Sequence, residues 1–202
     1  MVDAAMTTEA PITYAALPTS QDARDDCNAF LRRYHGTKAA VPSLEFERDI
    51  LTKLDGAPPV TTVIATDGLT IIGAATSWMR VGAYEQLRGR VSEARAIAWL
   101  RRWPLLTHIA VNGSYRHAGI GRTLVDLVET QVAQNGARGL WGYAADMPYP
   151  SWPFYQSLGY TILEADQPVI LGGIASLQSP GERPGKHFYK LFHTRPTPDG
   201  SR

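Results

Sequence analysis

The chain has 202 residues, 44% of them hydrophobic, enough apolar material for one compact domain with a sizeable core. Twenty Lys and Arg against nineteen Asp and Glu leave a net charge of +1, so no global field draws in nucleic acid or an anionic membrane, and an anionic partner must be caught locally. The single cysteine, Cys27, excludes an internal disulfide and a cysteine metal cluster, and no apolar run reaches the roughly 18 residues of a membrane span. MVDAAMTTEA lacks the charged-then-apolar order of a signal peptide, so the expected location is cytoplasmic and no metal site is expected.

Residues 1–10 and 195–202 are small or polar and rich in turn formers, and read as loose tails on a single folded unit, 11–194. ITYAAL (12–17) is expected as strand one. A helix follows, capped by Thr19 or Ser20, with Ala23, Cys27, Phe30, Leu31 and Tyr34 on its apolar face and Gly36 as its stop. A second helix is expected from Ser43 to Leu54. VTTVIAT, Asp67-Gly68 and LTIIGAATSWM predict an antiparallel hairpin, two β-rich runs joined by a two-residue turn that tolerates positive φ. PLLTHIAV (104–111) reads as strand four. SYRHAGIGRTLV (114–125) leads from it into a helix with Leu124, Leu127, Val128 and Val132 inward, ending at Asn135-Gly136. GLWGYAA reads as strand five, SWPFYQSLG as a short helix, Tyr160 to about Leu171 as strand six, and HFYKLFH as strand seven after a loop rich in Gly, Ser and Pro.

Residues 80–103 lie between strands three and four, where a short loop suffices, and so read as an insertion. Their six arginines face only Glu85 and Glu93. A charge run of this kind is ordinarily a solvated helix face, and the other reading is a site for an acidic substrate. Tyr84, Ala96, Trp99, Leu100 and Trp103 give the insertion an apolar side, so it is expected to pack on the domain, as a wall of the substrate cleft, rather than to bind nucleic acid.

The turn between strand four and the next helix carries the chemistry. The first N–H groups of a helix have no internal partner and lie at its positive end, so a pyrophosphate fits there if side chains leave room. Gly119 and Gly121 remove those side chains, while Arg116, Arg122 and the hydroxyl of Thr123 supply charge and a donor. A glycine pair at a helix start serves equally as a tight connection. The segment has no lysine for a mononucleotide P-loop, and Leu124 stands where a dinucleotide fingerprint needs its third glycine.

What the turn does match is R-x-x-G-x-G, as Arg116-His117-Ala118-Gly119-Ile120-Gly121, following Ala110-Val111 at the strand end. It resembles the acyl-coenzyme A binding motif of the GNAT N-acyltransferase superfamily. Downstream, Phe154, Tyr155, Gly159 and Tyr160 of FYQSLGY resemble that family's F-Y-x-x-x-G-F ending. The resemblance covers roughly residues 60–162. It implies an α/β (α+β) fold, a mixed, twisted sheet of about seven strands with strands four and five splayed and helices on both faces. Coenzyme A would lie in the splay, its pyrophosphate on the amides of His117, Ala118, Gly119, Ile120, Gly121, Arg122 and Thr123. Its pantetheine would pair with Ile109, Ala110 and Val111 as an added strand. The family often has asparagine and alanine seven and four residues before the tyrosine; Pro148 and Ser151 stand there instead.

The implied reaction moves an acetyl group from acetyl-CoA to a primary amine. An amine with a pKa near ~10 is about one part in a thousand neutral at pH 7, so removing its proton accounts for roughly 4 kcal/mol of barrier. The oxyanion needs a donor such as the Val111 N–H, and the leaving thiolate needs a proton. Tyr155 stands at the family's acid position. For the base, His108 is the candidate by residue type, yet family bases on this strand tend to fall at the positions of Thr107 and Leu105. Strict alternation sends His108 to the opposite face unless a bulge restores it. Asp146 and a water relay are the other candidates.

The acceptor is expected to be a small-molecule amine, with Trp78, Tyr84, Trp99, Trp103 and Trp141 forming either an aromatic pocket or plain core. A protein lysine or N-terminal acceptor, and a non-catalytic acyl-CoA-binding sensor, are the alternatives. Acetylation of charged tRNA would want a basic surface that a +1 balance does not provide. The oligomeric state stays open, a homodimer included.

Overall fold

The computed structural model describes residues 11–36, 40–43, 45, 60–79, 87, 89–146, 150–165, 167–175 and 184–192. The two expected tails lie outside these residues, as do Tyr84 and nearly all of the expected helix from Ser43 to Leu54.

Strand β1 (Thr13–Ala16) is followed by helix α1 (Gln21–His35). Ser20 is its cap, accepting the Ala23 N–H at 3.2 Å, and Gly36 closes it at φ 79°. The buried stripe is not the expected one, because Arg24 and Asn28 are buried while Tyr34 is exposed. Both polar residues have work inside: Asn28 Oδ1 accepts the Val41 N–H at 2.6 Å, and the Arg24 guanidinium donates to the Pro42 carbonyl at 2.7 Å. Cys27 is fully buried, and burial pushes its thiol pKa up to about 12, so it packs as an apolar side chain.

The predicted hairpin forms from β2 (Val60–Asp67) and β3 (Thr70–Trp78), paired antiparallel. Its turn sits one residue later than expected. Asp67 pairs with Thr70, leaving Gly68, at φ 56°, and the fully exposed Leu69 as the loop. The insertion contributes α2 (Glu93–Arg102), then β4 (Leu105–Val111), a single turn of tight helix (Gly113–Tyr115), α3 (Ile120–Gln134) and β5 (Gly139–Ala145). Helix α3 buries Ile120, Leu124, Val125, Val128 and Val132, with the expected Leu127 partly buried beside them.

After α4 (Trp152–Ser157) the expected sixth strand breaks up. Only β6 (Thr161–Ile162) joins the main sheet, while β7 (Ile170–Leu171) and β8 (Ile174–Ala175) make a separate hairpin. The cause is local. The Gln167 N–H donates to the Glu164 carbonyl, its side-chain oxygen accepts the Glu164 N–H, both at 3.2 Å, and Pro168 has no N–H to continue a ladder. The last strand, β9 (Gly185–Leu191), slots between β5 and β6, giving the order β1-β2-β3-β4-β5-β9-β6.

The sheet is covered on both faces. On one, α3 and α4 pack over Val63, Ile72, Leu106, Leu140 and Phe188. On the other, α1 covers Ile64, Ala74 and Ala110, while α2 and the β7–β8 hairpin cover Leu105 and Trp141. Trp99 of α2 seals that second lobe. It is 5% exposed, donates its indole N–H to the Leu171 carbonyl at 2.7 Å, and meets Trp141 edge-on at 6.4 Å. Trp99 and Trp141 are therefore core, the plainer of the two readings of the tryptophans, and the insertion packs on the domain.

Candidate active site at a split between parallel strands

Strands β4 and β5 pair in parallel at two positions only, Leu105 with Trp141 and Leu106 with Gly142. From Thr107 onward β4 has no β5 partner, so the sheet opens into a V between the ends of the two strands. A bulge sits where the opening begins: Ser77 pairs with Leu106 and Thr76 with His108, leaving Thr107 unpaired. The Thr107 hydroxyl donates to the Thr76 carbonyl at 2.9 Å and holds the extra residue in place.

The bulge resets alternation along β4. Leu106, Ile109 and Val111 pack with the α3 core, whereas Ala110 belongs to the α1 core. His108, two residues before Ala110, then lies on the α1 face, and its ring stands 5.3 Å from that of His35. The Asn112 N–H bonds back to Ile72 on β3 at 2.8 Å. By alternation the backbone groups of Ile109 and Val111 point the other way, into the split.

Beyond Val111 the chain turns tightly into α3. Asn112 caps the Ser114 N–H at 3.2 Å, and the Tyr115 hydroxyl donates to the Asp67 carboxylate at 2.6 Å, tying the turn to the β2–β3 hairpin. His117, at φ 66°, is the one non-glycine residue with positive φ among those described, and Gly119 follows at φ 80°. Two positive-φ residues in a three-residue stretch curl the backbone so that successive N–H groups face a common hollow. No side chain caps α3. Its first internal bond is Thr123 N–H to the Gly119 carbonyl at 3.1 Å, so the amides of Ile120, Gly121 and Arg122 have no intrahelical acceptor.

Two side chains of the motif are engaged within the protein. The Thr123 hydroxyl donates to the Gly119 carbonyl at 3.4 Å, and the Arg122 guanidinium reaches the Ser157 carbonyl at the end of α4 at 3.2 Å. The absent side chain of Gly121 would point between Val111 and Phe154, with a Cβ 3.7 Å from the former and 3.4 Å from the latter, at the mouth of the V. A glycine there keeps the mouth open.

Tyr155 lies on α4 with its ring stacked on Phe188, centroids 3.8 Å apart, and edge-on to Tyr160 at 5.9 Å. Gly142 makes this possible, since the Phe188 ring fills the space a side chain at 142 would need. Burial pushes the Tyr155 phenol far above its usual range, so it stays protonated. Burial, and secondarily His35, pull the His108 imidazole down to about 4, so it is neutral near pH 7. Asp146, past the end of β5, donates its N–H to the Pro184 carbonyl at 2.9 Å and keeps one carboxylate oxygen buried without a hydrogen-bond partner. His35 was not singled out by its sequence. At the C-terminal end of α1, its Nε2 lies 2.8 Å from the Ile109 carbonyl.

Among the described residues, no group of three or more His, Cys, Asp or Glu is placed to hold a metal, and no helix is long and apolar enough to cross a membrane. A splayed sheet with a glycine-led helix start at its mouth is the architecture of the N-acetyltransferases. Residues 25–160 match the family described as "Acetyltransferase (GNAT) family", and the chain belongs to that family. Similar solved structures include an aminoglycoside 6'-N-acetyltransferase complexed with coenzyme A, 18% identical over 92% of this chain and 99% of that one, at a TM-score of 0.59. The aminoglycoside 6'-N-acetyltransferase from Enterococcus faecium is 17% identical over 91% and 99%, also at 0.59. Ard1 from Thermoplasma volcanium is 10% identical over 91% and 99%, at 0.53. No curated protein matches the chain.

Proposed function

We propose that the protein transfers an acetyl group from acetyl-CoA to a primary amine of a small molecule by direct attack. The observation that carries this is the uncapped start of α3 at the mouth of the split, with the backbone edge of Ile109 and Val111 leading inward from it. Amides of His117 to Arg122 would hold the pyrophosphate, with Arg116 adding charge from the turn. Ile109 and Val111 would pair with the pantetheine arm, and the Val111 N–H would receive the oxyanion. Acetyl-CoA, as cosubstrate, supplies an acyl carbon activated by its thioester.

Tyr155, held protonated, would give its proton to the departing thiolate. The neighbours named for aminoglycoside acetylation support a small-molecule amine as acceptor. A panel of amines, peptide N-termini and lysine peptides included, assayed for thiol release from acyl-CoA of varied chain length tests the reading. Amine-dependent release that is fastest with acetyl-CoA and small amines is expected. Faster release with peptides would transfer the protein to the protein-acetylating class, and binding of acetyl-CoA without release for any amine would make it a sensor.

A further inference from the structure

We propose that His35 is the proton acceptor of the reaction, taking the ammonium proton of the bound amine and passing it to solvent, with His108 as the half-buried ring behind it. The proposal rests on the acyl-transfer reading above and adds a residue to it.

The position of the ring comes first. His35 ends α1, and its Nε2 sits 2.8 Å from the carbonyl of Ile109, on the β4 edge that faces the split. A carbonyl only accepts, so Nε2 must carry a hydrogen, and in the neutral ring the lone pair is left on Nδ1. The Val111 N–H, where the oxyanion would develop, projects from the same edge one strand repeat further on. An imidazole with a fixed donor and an open acceptor therefore stands beside the place where the thioester would lie.

The second point is the division of labour between two rings. His108 stands 5.3 Å from the His35 ring and is half-buried, which makes an imidazolium there costly to form. His35 is exposed, so a proton arriving there has a way out. Among the described residues its ring meets that of His108 from β4, and Arg32, Arg33 and Tyr34 share its last helical turn. On this side of the sheet β3 presents the uncharged Thr76 opposite His108.

The step balances. The ammonium gives one proton to His35 Nδ1, and the freed nitrogen lone pair forms the C–N bond to the acyl carbon. The C–S bond then breaks with its electrons on sulfur, which takes the Tyr155 proton, and the second proton of the new amide nitrogen returns through water to Tyr155. His35 discharges to solvent, for a net release of one proton.

His35→Gln is the test, because glutamine can still donate to the Ile109 carbonyl but cannot take up a proton. Expected is a loss of roughly 10²- to 10⁴-fold in kcat/KM for the amine at pH 7, the usual span for general base catalysis. Calorimetric affinity for acetyl-CoA should be unchanged, and the acidic limb of the pH profile, which His108→Gln retains, should vanish. Ring nitrogen NMR of the wild type, a readout independent of turnover, should show Nε2 protonated and Nδ1 bare in the neutral form of His35. Near wild-type kcat/KM with the same pH profile would overturn the proposal. So would weakened acetyl-CoA binding at unchanged kcat, which makes the ring a clamp on the strand, and so would an Nδ1–H tautomer. A wild type that binds acetyl-CoA but acetylates no amine defeats the acyl-transfer reading itself, and is told apart because it shows before any variant is made.

Discussion

The two faces of the sheet at the split are built from different chemistry. On the α3 face the opening is backed by aromatic rings packed on one another, Tyr155 flat on Phe188 and Tyr160 edge-on to both at 5.9 and 5.3 Å. On the α1 face the same opening is bordered by groups that titrate or hydrogen-bond. His35 and His108 stand together there, and across the V Tyr143 of β5 meets His187 of β9 at 5.0 Å. The first face keeps phenols protonated through burial, and the second holds a neutral His108 beside an exposed His35. Under the proposed reaction a proton is supplied from one face and removed at the other, and the peptide edge of β4 lies between them.

Removing one hydroxyl from the sealed face should break this asymmetry most severely. In Tyr155→Phe the ring stacked on Phe188 is retained, so stability and acetyl-CoA affinity should hold while kcat falls by roughly 10²- to 10⁴-fold. The loss should shrink with acyl donors whose leaving thiol has a low pKa. A near wild-type rate with every donor would make the tyrosine purely structural.

Next in size comes the lobe that walls the open face. Trp99→Ala removes a buried indole and its hydrogen bond to Leu171, and a cost of about 3–5 kcal/mol is expected in chemical denaturation. A shift below about 1 kcal/mol would mean that α2 is only loosely attached, against a large-to-small core change of this kind.

His108 sharpens the contrast through pH. Its folded-state pKa, about 4, lies below the 6.5 of a free imidazole, so the unfolded chain binds the extra proton first. The contribution is fully present above about pH 6.5 and is lost as pH falls toward 4, up to on the order of 3 kcal/mol. Denaturation midpoints of wild type and His108→Gln across that window should converge at the acidic end. Parallel curves would place the ring in water.

How much of this was legible in the sequence divides along the same line. The turn from Arg116 to Thr123 could be read because its parts are consecutive: two glycines, the helix they start and the strand before it occupy one short stretch. The short helix that carries Tyr155 was legible through the FYQSLGY segment. His35 was not, since nothing in its surroundings announces that α1 will cross β4 and bring it to Ile109, 74 residues along the chain. The face of His108 depended on a bulge at Thr107, which a two-residue periodicity cannot foresee. The burial of Arg24 and Asn28 was hidden for a similar reason, because their partners, Pro42 and Val41, come from beyond the helix.

The smallest effect is expected at the arginines of the insertion. Arg101→Gln with Arg102→Gln should raise KM for the acceptor a fewfold and leave KM for acetyl-CoA alone if α2 borders the acceptor side. No change in either constant would return these charges to a solvated face.

Calorimetric titration of acetyl-CoA into wild type and Gly121→Val tests the central claim, that the mouth of the β4–β5 split is the donor site. A Cβ at 121 meets Val111 and Phe154 at ordinary contact distance, so the fold should survive, but the added methyls narrow the mouth and crowd the open amides of α3. Loss of one or two charge-assisted hydrogen bonds predicts binding weaker by roughly 10- to 100-fold or more. A folded Gly121→Val protein that binds acetyl-CoA as tightly as the wild type would contradict the account.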